Sequence, residues 1–473
     1  MAERVAAHRR LACAIAVVTV LGAQTAGAAR DLCELLRDKG TLNDVEYNEC
    51  KAAEEKEAAQ GEGKVREVLG MRLPQWLDKI TPFGDLRVRY EGFFEDGLNA
   101  RNRFRLRARP GLNVNVSDEL AATIRLATGN PDDPISTNQS FERTFTNKPV
   151  NLDQAFLTLK PGATFGLTPG WGSLVGGKFT ANAYRVCELI WDDDVVPEGA
   201  TETVNLVERK EGFLRGLRVN AFQWVVDELS AAEDPWMFGG QIVADTAFGK
   251  TANWSMALAD YHWENLNAVA AKYLSPTQTD PKDPTQTVSN SNQNKQLANS
   301  NSVVKDSLGN ITGFKERFNI VAWTNELNFA NPLGIGVPAG LFGDLAYNTQ
   351  ADTKNVGFYL GAGIGKAGKD WYHNSLKSRG DWGASYTWAW VEREAVLSMF
   401  SYSDLQYVNR DGTQKGSTNV NAHILRFDYM LLQSLQLTAK THFINALDRE
   451  ASIVSLDGNP TLTRLQLDAT VKF

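Results

Sequence analysis

In the stretch "RNRFRLRARPGLNVNV" an arginine stands at every second position from Arg101 to Arg109. So many like charges on one face repel unless water, acids or an anionic visitor lies across from them. The chemistry they can do is therefore electrostatic: attracting, sorting or holding anions. A second charged run, "ANAYRVCELIWDDDVVPEGATE", holds Glu188, Asp192, Asp193, Asp194 and Glu198. Its three consecutive aspartates lack the spacing of a calcium loop, and the plainest reading of them is an exposed, solvated loop. Covalent chemistry is poorly supplied. Beyond the first 28 residues the histidines are His262, His373, His423 and His442, none in a metal-ligand spacing, and neither G-x-S-x-G nor H-E-x-x-H occurs. No catalytic residue, metal or cofactor is expected, and the chain does not read as an enzyme.

What element would carry the arginine row? Phe104, Leu106, Ala108, Leu112, Val114 and Val116 occupy the alternate positions. Successive side chains of a strand point to opposite faces, so the stretch reads as a strand with one apolar and one charged face. In isolation it could equally be an antiparallel strand whose polar face meets ordinary solvent.

The same period of two runs from Gly84 to the end. It recurs in "GDLRVRYEGFF", "LAATIRLA", "VNLDQAFLTLK", "GSLVGGKF", "ETVNLVE", "LRVNAFQWV", "MFGGQIVADTAF", "NWSMALADYHW", "FNIVAWTNELNF", "PAGLFGDLAYNT", "VGFYLGAGIG", "DWGASYTWAWVE", "NAHILRFDYML", "LQLTAKTHFINA" and "TRLQLDATVKF". With the arginine row these make about sixteen segments, each near the length that crosses a bilayer when tilted. Tight links such as "VSDEL", "TPGW" and "FGKTANW" alternate with long ones, among them 128–149, 180–200 and the Asn/Ser/Gln-rich 275–313. An outer-membrane barrel has short turns on one side and long loops on the other.

Aromatics mark many segment ends: Tyr90, Phe93, Phe94, Trp171, Phe179, Trp224, Trp236, Phe238, Tyr261, Trp263, Trp371, Tyr372, Trp382, Tyr386, Trp388, Trp390 and Phe473. They are read as girdles at the two membrane interfaces. The fold class expected is therefore all-β, a transmembrane antiparallel 16-stranded β-barrel. The mean hydropathy of −0.31 does not oppose this, because barrel strands never form a long apolar run.

The N-terminal part differs. Arg4, Arg9 and Arg10 precede "LACAIAVVTVLGA", and Ala26-Gly27-Ala28 offers small residues for cleavage, so 1–28 reads as an export signal peptide. Without those residues, which hold three arginines and one glutamate, 46 bases face 55 acids and the net charge is −9. No basic domain stands out, and nucleic acid is not an expected partner. Residues 29–83, rich in Glu, Lys, Ala and Leu, read as a periplasmic helical hairpin or coiled-coil segment and linker, with a cell-wall-contacting or oligomerising role. A hairpin would let Cys33 and Cys50 meet in a disulfide. The barrel is placed at 84–473.

In a barrel whose apolar faces meet lipid, charges on those faces would cost roughly 2 to 4 kcal/mol each at the midplane, so the arginines face the lumen. Closure sets the first strand beside the last. Arg87, Arg89, Arg103, Arg105, Arg107 and Arg125, with Arg464 and Lys472 across the closure, then form one basic wall.

Several stretches, "DLRVRYEGFF", "ATGNPDDPISTNQ", "LDQAFLTLKP", "WDDDVVPEGA" and the terminal "LQLDATVKF", resemble the putative-porin family of Gram-negative bacteria, relatives of the general porins. The resemblance covers about 84–473. It implies a water-filled outer-membrane channel, often a homotrimer, in contact with outer-membrane lipid and open to small hydrophilic solutes and ions. It further implies that the third long loop folds inward, with Glu188, Asp192, Asp193 and Asp194 as its constriction acids opposite the basic wall. Pro110 inside the arginine strand and the long insert at 275–313 depart from the pattern.

The function expected is passive diffusion with charge selection by the arginine wall. The alternatives are a channel specific for an anionic sugar or phosphate-like solute, a plugged barrel acting as a structural or adhesive surface protein, and, last, a soluble secreted β-sandwich.

Overall fold

A computed structural model of the chain describes residues 79–95, 99–230, 233–366, 370–373, 375–408, 415–448 and 461–473. The segments read as export signal and helical hairpin, with Cys33 and Cys50, lie outside the described residues.

Every one of the sixteen alternating segments is a strand. They are β1 (Ile80–Phe94), β2 (Arg101–Asn115), β3 (Leu120–Thr128), β4 (Val150–Leu159) and β5 (Gly172–Lys178). Next come β6 (Glu198–Glu208), β7 (Leu214–Val225), β8 (Trp236–Phe248), β9 (Ala252–Glu264) and β10 (Asn319–Phe329). The last six are β11 (Ala339–Asn348), β12 (Val356–Gly365), β13 (Trp382–Val391), β14 (Val420–Leu432), β15 (Leu435–Ala446) and β16 (Leu462–Lys472). Each pairs antiparallel with the next. The β1–β16 pair, with Arg89 opposite Asp468 and Phe93 opposite Arg464, closes the sheet into a barrel. Closure leaves no free sheet edge. It is finished by Phe473, whose backbone exchanges hydrogen bonds of 2.9 and 3.1 Å with Gly84.

The sidedness is inverted relative to a water-soluble protein. Outward positions carry Leu86, Val88, Phe104, Ile124, Leu258, Leu341 and Leu425, with Phe104 53% exposed. Inward positions carry Arg89, Glu91, Gln241, Glu326, Asp428 and Arg464, with Arg89 only 4% exposed. A β-bulge adjusts this alternation once in the basic region. Arg125 pairs with Gln154 and Leu126 with Leu152, so Asp153 is the extra residue and both Asp153 and Gln154 are buried.

The connections leaving β1, β3, β5, β7, β9, β11, β13 and β15 lie at one end, and those leaving the other strands lie at the opposite end. The long links 129–149, 179–197, 265–318 and 392–419 all fall at the first end. One link at the opposite end, 366–381, is also long, which the alternation of short and long connections does not predict.

The lumen is partly filled. The link 179–197 turns inward at a glycine pair: Gly177 and Gly199 face each other across β5 and β6 with φ of 127° and 138°. An added Cβ at either would run into the neighbouring strand's backbone. Inside, Trp191 packs on Trp224, Tyr261, Trp263 and Phe400 at ring-centre distances of 5.0 to 6.1 Å. From the opposite end Trp371 lies over Gly340 and Gly363 and donates its indole N–H to Asn328 at 2.5 Å. The aromatic girdle reading is therefore corrected for Phe179, Trp224, Tyr261, Trp263, Trp371 and Tyr372, which are buried in this apolar cluster. Phe93 also belongs to an inward position. Phe94, Phe238, Tyr386 and Phe473 remain exposed. The apolar filling occupies the side of β7 to β14, and the charged residues keep the side of β1 to β4 and β14 to β16.

Candidate functional site

The period of two in β1 puts Asp85, Arg87, Arg89, Glu91 and Phe93 on the lumenal face, and β2 puts Arg101, Arg103, Arg105, Arg107 and Arg109 there. Their register sets Arg87 against Arg107, Arg89 against Arg105, and Glu91 against Arg103. Cationic pairs directly opposite would repel, and acids are threaded between them. Arg89 makes a two-pronged contact with Asp468, at 2.7 and 2.8 Å. Asp85 accepts from Arg107 at 2.9 Å and from Arg109 at 2.8 Å. Glu91, fully buried, bridges Arg103 and Arg464. Arg464 reaches on to Asp404 at 2.6 Å, and Arg125 pairs with Asp153 at 2.5 Å. Arg87 donates to Asn138 at 2.7 Å and Arg105 to Ser136 at 3.2 Å. Lys472 stands at the rim and is exposed.

Asp85, Glu91 and Asp468 were not among the residues singled out in the sequence, yet each lies two positions from an arginine or on the wall strand beside it, so the same alternation could have found them. Asp404 comes from the 392–419 link, and nothing local in sequence signals it.

The four acids of the 179–197 link take separate partners. Asp194 meets the wall, 2.9 Å from Arg109 and 3.8 Å from Arg107, and its second oxygen accepts the Thr137 N–H at 3.0 Å. Asp192 accepts the N–H of Ser403 at 2.8 Å, tying this link to 392–419. Asp193 contacts Arg185 at 2.9 Å and His373 at 2.8 Å. Glu188 accepts the N–H of Asp193 at 2.9 Å. Burial first, and then the charge of Asp193, push Glu188 up to about 7. Burial opposes the charged form of Asp193 as well, but His373 and Arg185 outweigh it and hold that carboxyl far below its ordinary range. His373 is likewise disfavoured by burial, and Asp193 and Asp370 more than offset this, raising it to about 10.

Two water-accessible cavities flank this charged belt. The outer one, about 470 Å³, is lined by Phe93, Arg101, Arg103, Arg105 and Arg464. The inner one, about 680 Å³, is lined by Arg87, Arg107, Arg109, Asp193, Asp194 and Asp468. Asn138 and Ser403 line both and so stand at the neck between them. The outer cavity carries six basic side chains against two acidic ones, whereas the inner one is nearly balanced. Around Phe93, the guanidinium carbons of Arg101, Arg103 and Arg464 lie 5.1 to 5.6 Å from the ring centre.

A closed antiparallel barrel with an apolar exterior and a charged, hydrated interior is the architecture of a membrane channel of the porin type. The chain belongs to the putative porin family, whose pattern matches residues 94–446. Among solved structures it resembles OprB of Pseudomonas putida at high pH, with 12% identity, a TM-score of 0.49, and coverage of 84% of this chain and 96% of that one. It also resembles OmpF of Salmonella typhi in complex with daunomycin, at 10% identity, TM-score 0.43, and coverage of 85% and 100%. The outer-membrane channel DcaP of Acinetobacter baumannii matches at 10% identity, TM-score 0.40, and coverage of 83% and 97%. No curated protein matches the sequence. Among the described residues no helix is long and apolar enough to cross a membrane, which says nothing of strands.

Proposed function

We propose that the chain is a passive diffusion channel of the bacterial outer membrane, admitting small hydrophilic solutes and ions and sorting them by charge at the arginine wall. The observation that supports this reading is the placement of Arg107 and Arg109 on the wall with Asp194 facing them from the inward link. Charges fixed along a narrow lumen focus their field into the adjoining water, which orients dipolar solutes and biases ion passage. Energy input and cofactors play no part. Export through residues 1–28, a periplasmic segment ahead of the barrel and assembly as a homotrimer belong to the same reading.

Replacing Arg103, Arg105 and Arg107 by alanine leaves Glu91 to Arg464 alone, and Asp85 and Asp194 to share Arg109. The cation-to-anion permeability ratio in planar bilayers should then rise severalfold, and an unchanged ratio removes the wall from the account.

A second reading, a channel specific for small anions such as phosphate or sugar acids, is favoured by the surplus of bases in the outer cavity. The filled lumen also divides the aqueous space into separate chambers of about 470, 680 and 960 Å³. Block of single-channel current by micromolar phosphate supports this reading, and linear conductance up to high salt supports the general pore. Liposome swelling separates both from a plugged surface protein, whose vesicles would not swell.

A further inference from the structure

Where the link 179–197, entering from one end of the barrel, meets the link 366–381, entering from the other, three potential metal ligands converge. The donor atoms of Glu188, Asp193 and His373 all lie within 4.8 Å of one another. His373 Nε2 is 2.8 Å from Asp193 Oδ2, yet this buried nitrogen has no partner in hydrogen-bonding geometry. Two ligand atoms this close, paired by charge but poorly aligned for a hydrogen bond, can both turn to one cation at an edge of its coordination polyhedron. With bonds of about 2.0 to 2.2 Å to zinc, such an edge measures roughly 3 to 3.5 Å, so the pair need open only slightly.

The surroundings fit as well. The other ring nitrogen, His373 Nδ1, lies 2.6 Å from Asp370 Oδ1, and the second oxygen of Asp370 accepts from Ser375 at 2.6 Å. A carboxylate on the far side of a histidine fixes the ring and its tautomer for metal binding. Asp193 is steadied on its other oxygen by Arg185 at 2.9 Å. His373 and Asp193 both line the inner cavity and a neighbouring one bounded by Tyr184 and Arg218, so an ion has an aqueous route in.

We propose that Glu188, Asp193 and His373 form a binding site for one divalent transition-metal ion of the zinc type, which pins together the two links inside the lumen. The imidazole binds through Nε2 as a neutral ligand, its Nδ1–H donated to Asp370, and the Nε2 proton it carries in the metal-free state leaves to solvent. Nitrogen and carboxylate donors of this kind suit zinc and its first-row neighbours better than calcium.

The test is calorimetric titration of the metal-stripped, detergent-purified full chain with zinc chloride, a readout independent of transport and therefore of the channel reading. One ion per chain is expected. His373→Gln and Glu188→Gln should each weaken binding at least tenfold, and Asp370→Asn, which removes only the support of the ring, by 10- to 100-fold. Heat-modifiable migration on gels checks that each variant is folded, and Glu188→Gln decides if His373→Gln is not. Anomalous scattering at the zinc edge should place the ion between Asp193 and His373. Absence of stoichiometric binding by the native chain, or equal affinity in the folded ligand variants, overturns the site.

Discussion

Glu91 is the residue on which most of the wall depends. It is fully buried, carries contacts to Arg103 and Arg464, and has Arg105 at 3.8 Å. Removing one partner of a buried ion pair leaves the others uncompensated, at a cost of about 3 to 5 kcal/mol. Glu91→Ala should therefore lower the unfolding free energy measured by urea titration of the barrel in lipid vesicles by an amount of that order, and the surviving channels should shift toward anions. That shift is opposite in sign to the effect of truncating the arginines. Unchanged selectivity would mean that Glu91 is electrostatically silent in the pore. At this scale the sequence is half legible. Alternation alone puts Arg87, Arg89, Arg103, Arg105 and Arg107 on one face, because a strand cannot do otherwise. Which acid meets which base depends on the register between strands and on Asp404, over 300 residues from Glu91, and no local pattern carries that information.

Among the elements, the inward link 179–197 is held not by its acids alone but also by Trp191, whose ring touches four other aromatic rings. A Trp→Ala change in a packed cluster costs about 3 to 5 kcal/mol. Trp191→Ala should loosen the link without unfolding the barrel, and it should appear as a larger and noisier single-channel conductance. Conductance equal to that of the native chain would show that the link holds its place by polar contacts such as Asp192 to Ser403 alone. The strands themselves are readable from their period, and all sixteen appear where alternation puts them. The filling of the lumen is not. Trp224 shares its strand face with Asn220 and Arg218, which marks it as lumenal, but an aromatic at a strand end satisfies an interfacial girdle and an interior plug equally well. The decision between them rests on links with no periodicity of their own.

For the molecule as a whole, the decisive contact is the seam between β1 and β16. Gly84 and Phe473 exchange two backbone hydrogen bonds there, and the terminal ring lies against the Gly84 backbone. Deleting Phe473 should reduce the fraction of chain that reaches the heat-modifiable form severalfold. Yields equal to the native chain would assign the seam's stability to the Arg89–Asp468 pair instead.

That pair spans 379 positions of the chain. Bringing such distant ends together costs on the order of 5 kcal/mol in loop-closure entropy before any contact repays it. The first strand must wait for the last, so nothing resembling the finished wall can exist while the polypeptide is still emerging from the ribosome. Until then its greasy outward faces have no lipid to meet and only each other to hide against.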